Sequence, residues 1–326
     1  INMSTPNVTI TNPGDNSIYG ILNQTSEIRF AAEIYDSGNI SAVIFQFNNV
    51  TNVFNMTASN DSSNWNVSLN LSRLAEGSQG VRVYANNTFN NVNNSAIINF
   101  TVDLTSPNVT INTLNSNNMF NGSNLSIRSN NQTFNASIFD ALTGVSYVYF
   151  WLDNGTGNDI NITGVNNSGQ WTAGYNVSTL AEGRQGMRVI ANDTVNNVNS
   201  TQFINFTVDM TAPNVTINSP VHGSTHDFIF MDFNATISDA LTTISSVTFE
   251  IISEGSSSNS TRLANGTCFL DGIPRCASNS SGVWNISQFN LSAIGSVPVQ
   301  FRVYANDSAN NVNSFAEVNF TISSQI

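Results

Sequence analysis

The stretch LAEGSQGVRVYANNTFNNVNNSAIINFTVDLTSPNVTI runs from Leu74 to Ile111, and it returns from Leu180 to Ile217 as LAEGRQGMRVIANDTVNNVNSTQFINFTVDMTAPNVTI. Its first part returns once more as VQFRVYANDSANNVNSFAEVNFTI, Val299 to Ile322. A segment of this length, copied almost without gaps, makes the chain a tandem array. Each unit opens on a turn proline, Pro6, Pro107 or Pro213, followed by N-V-T-I. The spacing gives units of roughly 100 residues, long enough for each to bury its own core, unlike a short solenoid repeat. The chain therefore divides into three domains, 1–103, 104–209 and 210–326.

Inside a unit the apolar residues alternate as they do in half-buried strands. Unit one reads as PNVTI (6–10), IRFAAEIYD (28–36), ISAVIFQFN (40–48), an edge strand VFNMT (53–57), WNVSLNL (65–71), VRVYAN (81–86) and AIINFTVD (96–103). About seven short strands with turn signals between them predict an all-β sandwich. Unit two repeats the plan, but its strand VSYVYFWLD (145–153) is apolar or aromatic on both sides. One face of an antiparallel sandwich normally meets water. This strand is then either central and covered or a contact surface, and ordinary coverage is the expectation. Unit three departs through a polar insert, Ser253 to Gly282, before VWNISQFNL. Only Leu104 to Ser106 and Met210 to Ala212 separate the units, which predicts a stiff rod.

Composition narrows the function. Charged residues are 9% of the chain, every basic residue is an arginine, and the net charge is −12. That balance excludes a nucleic-acid partner, which needs a basic face. With 40% apolar residues the chain is not of disordered composition. No run of about 18 apolar residues is present, so no membrane span is expected. The chain opens on Ile1, which points to a processed mature protein or a fragment. The N-glycosylation frame N-x-S/T recurs along the whole chain, for example at Asn7, Asn23, Asn66, Asn86, Asn99, Asn192, Asn205, Asn285, Asn306 and Asn319. Chance explains many such frames in an Asn-rich chain. It explains less well why Asn86, Asn192 and Asn306 keep the frame at one repeat position, and glycosylation of an exported protein is expected. Cys268 and Cys276, in CFLDGIPRC, read as a disulfide closing a small loop in an oxidising compartment, with a metal pair as the lesser alternative.

Few residues carry chemistry. Asp36, Asp140 and Asp239 each close the second strand of a unit. Asp193 and Asp307 sit in the turn after the sixth strand, where unit one has Asn87, and Asp103 and Asp209 sit at the junctions. Such oxygens can bind calcium, which takes six to eight of them. These acids are dispersed along the sequence, and Asp in turns also bonds its own backbone, so calcium is the lesser reading and no cofactor the leading one. His222, His226 and Asp227 in VHGSTHD read as an exposed turn, and Ser224 lacks a nucleophile elbow. Glu76 and Glu182 occupy equivalent places in different units, too far apart for a glycosidase pair. Arg82, Arg188 and Arg302 recur once per unit and read as ion-pairing or stacking residues. Trp65, Trp171 and Trp284 recur as core residues, whereas Trp151 occurs in unit two alone.

Together SPNVTI, FDALTGVSYVYFWLD and LAEGRQGMRVIANDTVNNVNSTQFINFTVD resemble the immunoglobulin-like repeats of archaeal and bacterial cell-surface proteins, along essentially the whole chain. The resemblance implies three tandem immunoglobulin-like sandwiches in an extracellular surface layer, adhesin, sheath or filament. It implies no single activity. The expected function is that of a non-enzymatic structural glycoprotein that self-assembles, with strands around Val8 to Ile10 or Val318 to Ile322 as donors to a neighbour. The alternative is an adhesin or glycan-binding stalk that makes contact through Trp151 or the Cys268–Cys276 loop.

Overall fold

The computed structural model describes residues 4–23, 26–49, 52–62, 64–113, 125–127, 131–154, 157, 159–227, 230–253, 260–264, 269–270, 273–274, 278–291 and 298–323. Apart from short 3-10 turns, their regular structure is strand. In unit one a four-stranded sheet has the order Asn7–Asn12, Glu27–Tyr35, Asn64–Asn70, Ser59–Asp61. A six-stranded sheet has the path Ser17–Tyr19, Ile97–Val102, Gly77–Asn87, Ile40–Asn49, Asn52–Thr57, with Val92–Asn93 added to Gly77–Asn87. Units two and three repeat both sheets in the same order, the larger sheet of unit three having five strands. The protein is thus all-β, a tandem array of immunoglobulin-like sandwiches.

The cores follow from the period-two alternation of strands, which sends every second side chain inward. Phe30, Phe45 and Phe100 are fully buried in unit one. Phe134, Phe150 and Phe206 hold the same places in unit two, as do Phe233, Phe249 and Phe320 in unit three. Each buried phenylalanine stabilises its unit by about 1.5–3 kcal/mol relative to exposure. Trp171 and Trp284 are buried in their cores, and Trp65 is half-buried against its own.

Three expectations need correction. The strand Val145–Asp153 is covered on one side only: Val148, Phe150 and Leu152 are buried, but Tyr147 and Tyr149 are 39% and 37% exposed. Val318 to Ile322 is no free donor. It belongs to the strand Val312–Ile322, which pairs with Pro298–Asp307 on one side and Thr225–His226 on the other. The strand Asn7–Asn12, which holds Val8 to Ile10, does lie at a sheet edge. Finally, VRVYAN is the end of a longer strand, Gly77–Asn87, because Gly77 to Gly80 pair with Asn99 to Val102.

Candidate metal centre

The dispersed aspartates converge where the units meet. In Asp103, Asp140 and Asp193 one carboxylate oxygen from each lies within 4.8 Å of the others, and Asp209, Asp239 and Asp307 repeat the arrangement. Asp103 follows the last strand of unit one, and Asp140 follows the second long strand of unit two. Asp193 ends the long strand Gly183–Asp193. Asp103, Asp193, Asp209 and Asp307 are all buried. The separation in sequence vanishes in space because the two sheets of a unit bring both turns to the edge where the linker arrives. So the objection that these acids are dispersed is overturned. Asp36 stands apart from such a trio: its carboxylate accepts from the Asn87 amide at 3.3 Å, and Asn87 also donates to the Ser4 carbonyl.

Local bonding explains each position. Asp140 Oδ1 accepts from the Leu142, Thr143 and Gly144 amides, and Asp239 Oδ1 from those of Leu241 and Thr242. These are turns in which a short carboxylate caps its own backbone. Asp193 Oδ1 accepts from the Val195 and Asn197 amides. The turn closes through Asn196 at φ 66°, a left-handed conformation that Asn tolerates. Thr143 Oγ1 donates to Asp103 Oδ2 at 2.6 Å, and Thr242 Oγ1 does the same to Asp209.

Electrostatics marks the trio as unbalanced. Burial pushes the Asp103 carboxyl above the ordinary aspartate range; the Thr143 and Thr105 bonds pull it down, and the charges of Asp140 and Asp193 push it up again. Asp209 is raised by the same causes, with Asp239 and Asp307 as its neighbours. Three carboxylates of one sign in a buried site favour a bound cation or a proton. The all-oxygen donor set fits a hard cation such as calcium.

The repeated NNVN turn, legible in the sequence only as a motif, fastens the linker. Asn197 Nδ2 donates to the Asp103 carbonyl at 2.9 Å and to Asp193 Oδ2 at 2.7 Å, and Asn311 does the same for Asp209 and Asp307. Asn93, Asn199 and Asn313 donate to the carbonyls of Pro6, Pro107 and Pro213. Asn197 Oδ1 accepts from the Ile21 amide of the preceding unit at 2.7 Å. Glu76, no catalytic partner of Glu182, accepts from the Leu104 amide and from Thr105 Oγ1; Glu182 holds Met210 and Thr211 in the same way. The sequence carried a signal for this role. Glu recurs at one repeat position in units one and two, each of which runs into one of these linkers, whereas unit three has Ile294 or Ser296 there.

The remaining residues separate. Ser224 Oγ lies 2.7 Å from His226 Nε2, and His222 Nδ1 accepts from the Asn319 amide, but neither histidine falls in a metal group among the described residues. Arg82 donates to the Asn94 carbonyl, Arg188 stacks near Trp151 and Phe203, and Arg302 pairs with Glu317 at 2.8 Å. Cys268 and Cys276 lie outside the described residues. Of the glycosylation frames, Asn7, Asn99 and Asn319 are exposed, and Asn23, Asn66, Asn86, Asn205, Asn285 and Asn306 are half-buried. Asn192 is a correction: it is 2% exposed, and its amide spans the turn to Asn196 Oδ1. Asn86 makes the same reach to Asn90, so turn geometry accounts for the repeated asparagine.

Residues 63–145 and 169–267 match the family described as Bacterial Ig-like domain (group 3), and residues 6–83 match the Bacterial Ig domain family. Both matches to the first family begin in one unit and end in the next. Among solved structures, the chain is similar to a bacterial ice-binding adhesin, with 15% identity, 99% of this chain and 98% of that one covered, and a TM-score of 0.42. It is similar to a Ca2+-stabilized adhesin of an Antarctic bacterium, with 14% identity, coverage of 98% and 73%, and a TM-score of 0.39. A tetra-tandem repeat from the extending region of a large adhesion protein gives 16% identity, coverage of 98% and 74%, and a TM-score of 0.34. No curated protein matches.

Proposed function

We propose that this chain, which belongs to the bacterial Ig-like domain family (group 3), is the non-catalytic stalk of an extracellular surface protein, stiffened by calcium at its two internal junctions. One observation carries the reading: the buried aspartate trio recurs at both junctions, next to a linker fastened by Asn197 and Glu76 or by Asn311 and Glu182. Asp103, Asp140 and Asp193 would hold one ion, and Asp209, Asp239 and Asp307 the other. The ion would supply charge neutralisation and tie three segments that belong to two units. No described helix is long and apolar enough to cross a membrane.

Glycans on the exposed frames at Asn7, Asn99 and Asn319 fit the low surface charge, and a disulfide between Cys268 and Cys276 fits the same compartment. A second reading, assembly of copies into a filament, sheath or layer, is favoured by the edge strand Asn7–Asn12. An edge strand offers unpaired backbone groups to a neighbour.

The test is small-angle scattering and calorimetry of the whole chain, with calcium and then with a chelator. The stalk reading expects a longer maximum dimension and a higher Tm with calcium. A profile and Tm that ignore calcium would sink it. For assembly, the readout is sedimentation of the native chain with and without a proline at Thr9; polymers indifferent to that substitution would rule out the edge.

A further inference from the structure

The outer face of unit two differs from those of its neighbours. Tyr147, Tyr149 and Trp151 point outward along one strand, opposite Asn192, Ile190 and Arg188 on the next. The same three positions are Ala42, Ile44 and Gln46 in unit one, and Ser246, Thr248 and Glu250 in unit three. Two units therefore fold without aromatic residues at these positions, so the fold does not require the row. The Tyr147 and Tyr149 rings lie 5.2 Å apart. The Arg188 guanidinium lies 5.6 Å from the Trp151 ring and 5.9 Å from the Phe203 ring, bridging the two. Phe203, 43% exposed, lies over Gly186, where an added Cβ would come within 2.7 Å of its ring. The absence of a side chain at Gly186 leaves room for the ring.

We infer that this row is a binding platform for an acidic polysaccharide, a ligand that the proposed stalk role does not require. Size decides against a protein partner. Tyr147, Tyr149 and Phe203 are 39%, 37% and 43% exposed and Trp151 is half-buried, so at on the order of 100 Å² or less each, the four give at most roughly half of the ~800 Å² per partner that a standard protein interface needs. The row from Tyr147 to Trp151 is ~14 Å long, which suits a short oligosaccharide lying along the strand. Its rings present apolar faces to the C–H faces of sugars. Asn161, exposed opposite Trp151 on the flanking strand, supplies hydrogen bonds to hydroxyls. Charge selects the sugar. Arg188 is exposed and makes no ion pair among the described residues, and a guanidinium takes a carboxylate in a paired, fork-like bond.

The test is affinity electrophoresis of the whole chain in gels containing polygalacturonate, alginate, hyaluronate or neutral dextran. At least one acidic polymer retards the chain and dextran does not. Trp151→Ala and Arg188→Gln each weaken retardation at least tenfold, and both variants still unfold cooperatively, because units one and three fold without an aromatic residue at the Trp151 position. Gln46→Ala, at the matching position of unit one, leaves it unchanged. Retardation by none of the acidic polymers overturns the proposal, as does equal retardation of the Trp151→Ala variant or equal retardation by dextran. A concentration-dependent dimer that Trp151→Ala abolishes also overturns it, by assigning the face to a second copy.

Discussion

The Asn197 side chain donates to the Asp103 carbonyl oxygen at 2.9 Å, across 94 residues of sequence. The same amide donates to Asp193, and its oxygen accepts from the Ile21 amide. One buried side chain thus touches the unit before it, the linker and the acidic trio. Asn197→Ala leaves those buried groups without their partner, each at a cost of about 1–3 kcal/mol. Chemical denaturation registers the loss, and faster hydrogen exchange at the Ile21 amide places it at the junction. Unchanged exchange at Ile21 would contradict this role.

Calcium titration by calorimetry gives two sites per chain, not three. Unit one has Asn87 where the other units have Asp193 and Asp307, and the Asn87 amide already bonds to Asp36. Asp193→Asn reduces the count to one, and adding Asp307→Asn removes the second. At a calcium concentration a hundredfold above Kd, each site raises stability by about 2.7 kcal/mol. A chelator reverses the gain.

The pH dependence has opposite signs with and without the ion. The folded Asp103 and Asp209 carboxyls are raised above the ordinary range, first by burial. In the metal-free chain these groups hold protons more tightly when folded than when unfolded, so their contribution to stability falls as pH rises from the ordinary aspartate range through the raised values. With saturating calcium, protons compete with the ion, and stability at these sites rises with pH over the same window. Thermal melts across that window, with and without calcium, separate the two slopes.

Gly20 permits the approach of unit two. A Cβ at this position would run into the Val195 carbonyl oxygen and come within 2.9 Å of Val195 Cβ. Backbone cannot yield as a flexible side chain does, so Gly20→Ala forces the two units apart. Each unit keeps its own fold, while coupling across the junction weakens by about 1–3 kcal/mol, the usual cost of overpacking. Scattering shows a wider distribution of inter-unit angles, and single-unit melting stays unchanged.

Glycopeptide mass spectrometry of native protein finds sugar at some of Asn7, Asn99 and Asn319 and none at Asn192. Asn192 is buried with its amide engaged, and a transferase acting on the folded chain cannot reach it. Occupancy at Asn192 would require modification before folding.

Much of the fold was legible because it is written locally. The alternation in ISAVIFQFN places Val43, Phe45 and Phe47 on the buried side without reference to any other segment. The copied stretch also announced the linkers, since each copy runs from the end of one sandwich into the start of the next. The acidic trios were harder to read. Asp103, Asp140 and Asp193 meet only after two sheets have packed, and no local spacing encodes that meeting. The uncovered side of Val145–Asp153 was missed for a related reason. Whether an aromatic row is covered depends on what packs over it, and nothing among the described residues buries Tyr147 or Tyr149.

The first short strand of each sandwich runs parallel to its last: Ser17–Tyr19 beside Ile97–Val102, Leu125–Ile127 beside Phe203–Val208, Thr225–His226 beside Val312–Ile322. When such a chain is pulled lengthwise, tension first meets the leading strand, Asn7–Asn12 in unit one, which pairs antiparallel with Glu27–Tyr35, then reaches this short strand and leaves through the last. Two parallel strands loaded at opposite ends are drawn past each other in shear. Their cross-strand hydrogen bonds then bear the load together, instead of opening one at a time as in a peeled hairpin. The pairing that closes each sandwich therefore also makes it a tether, able to carry force between whatever its two ends hold.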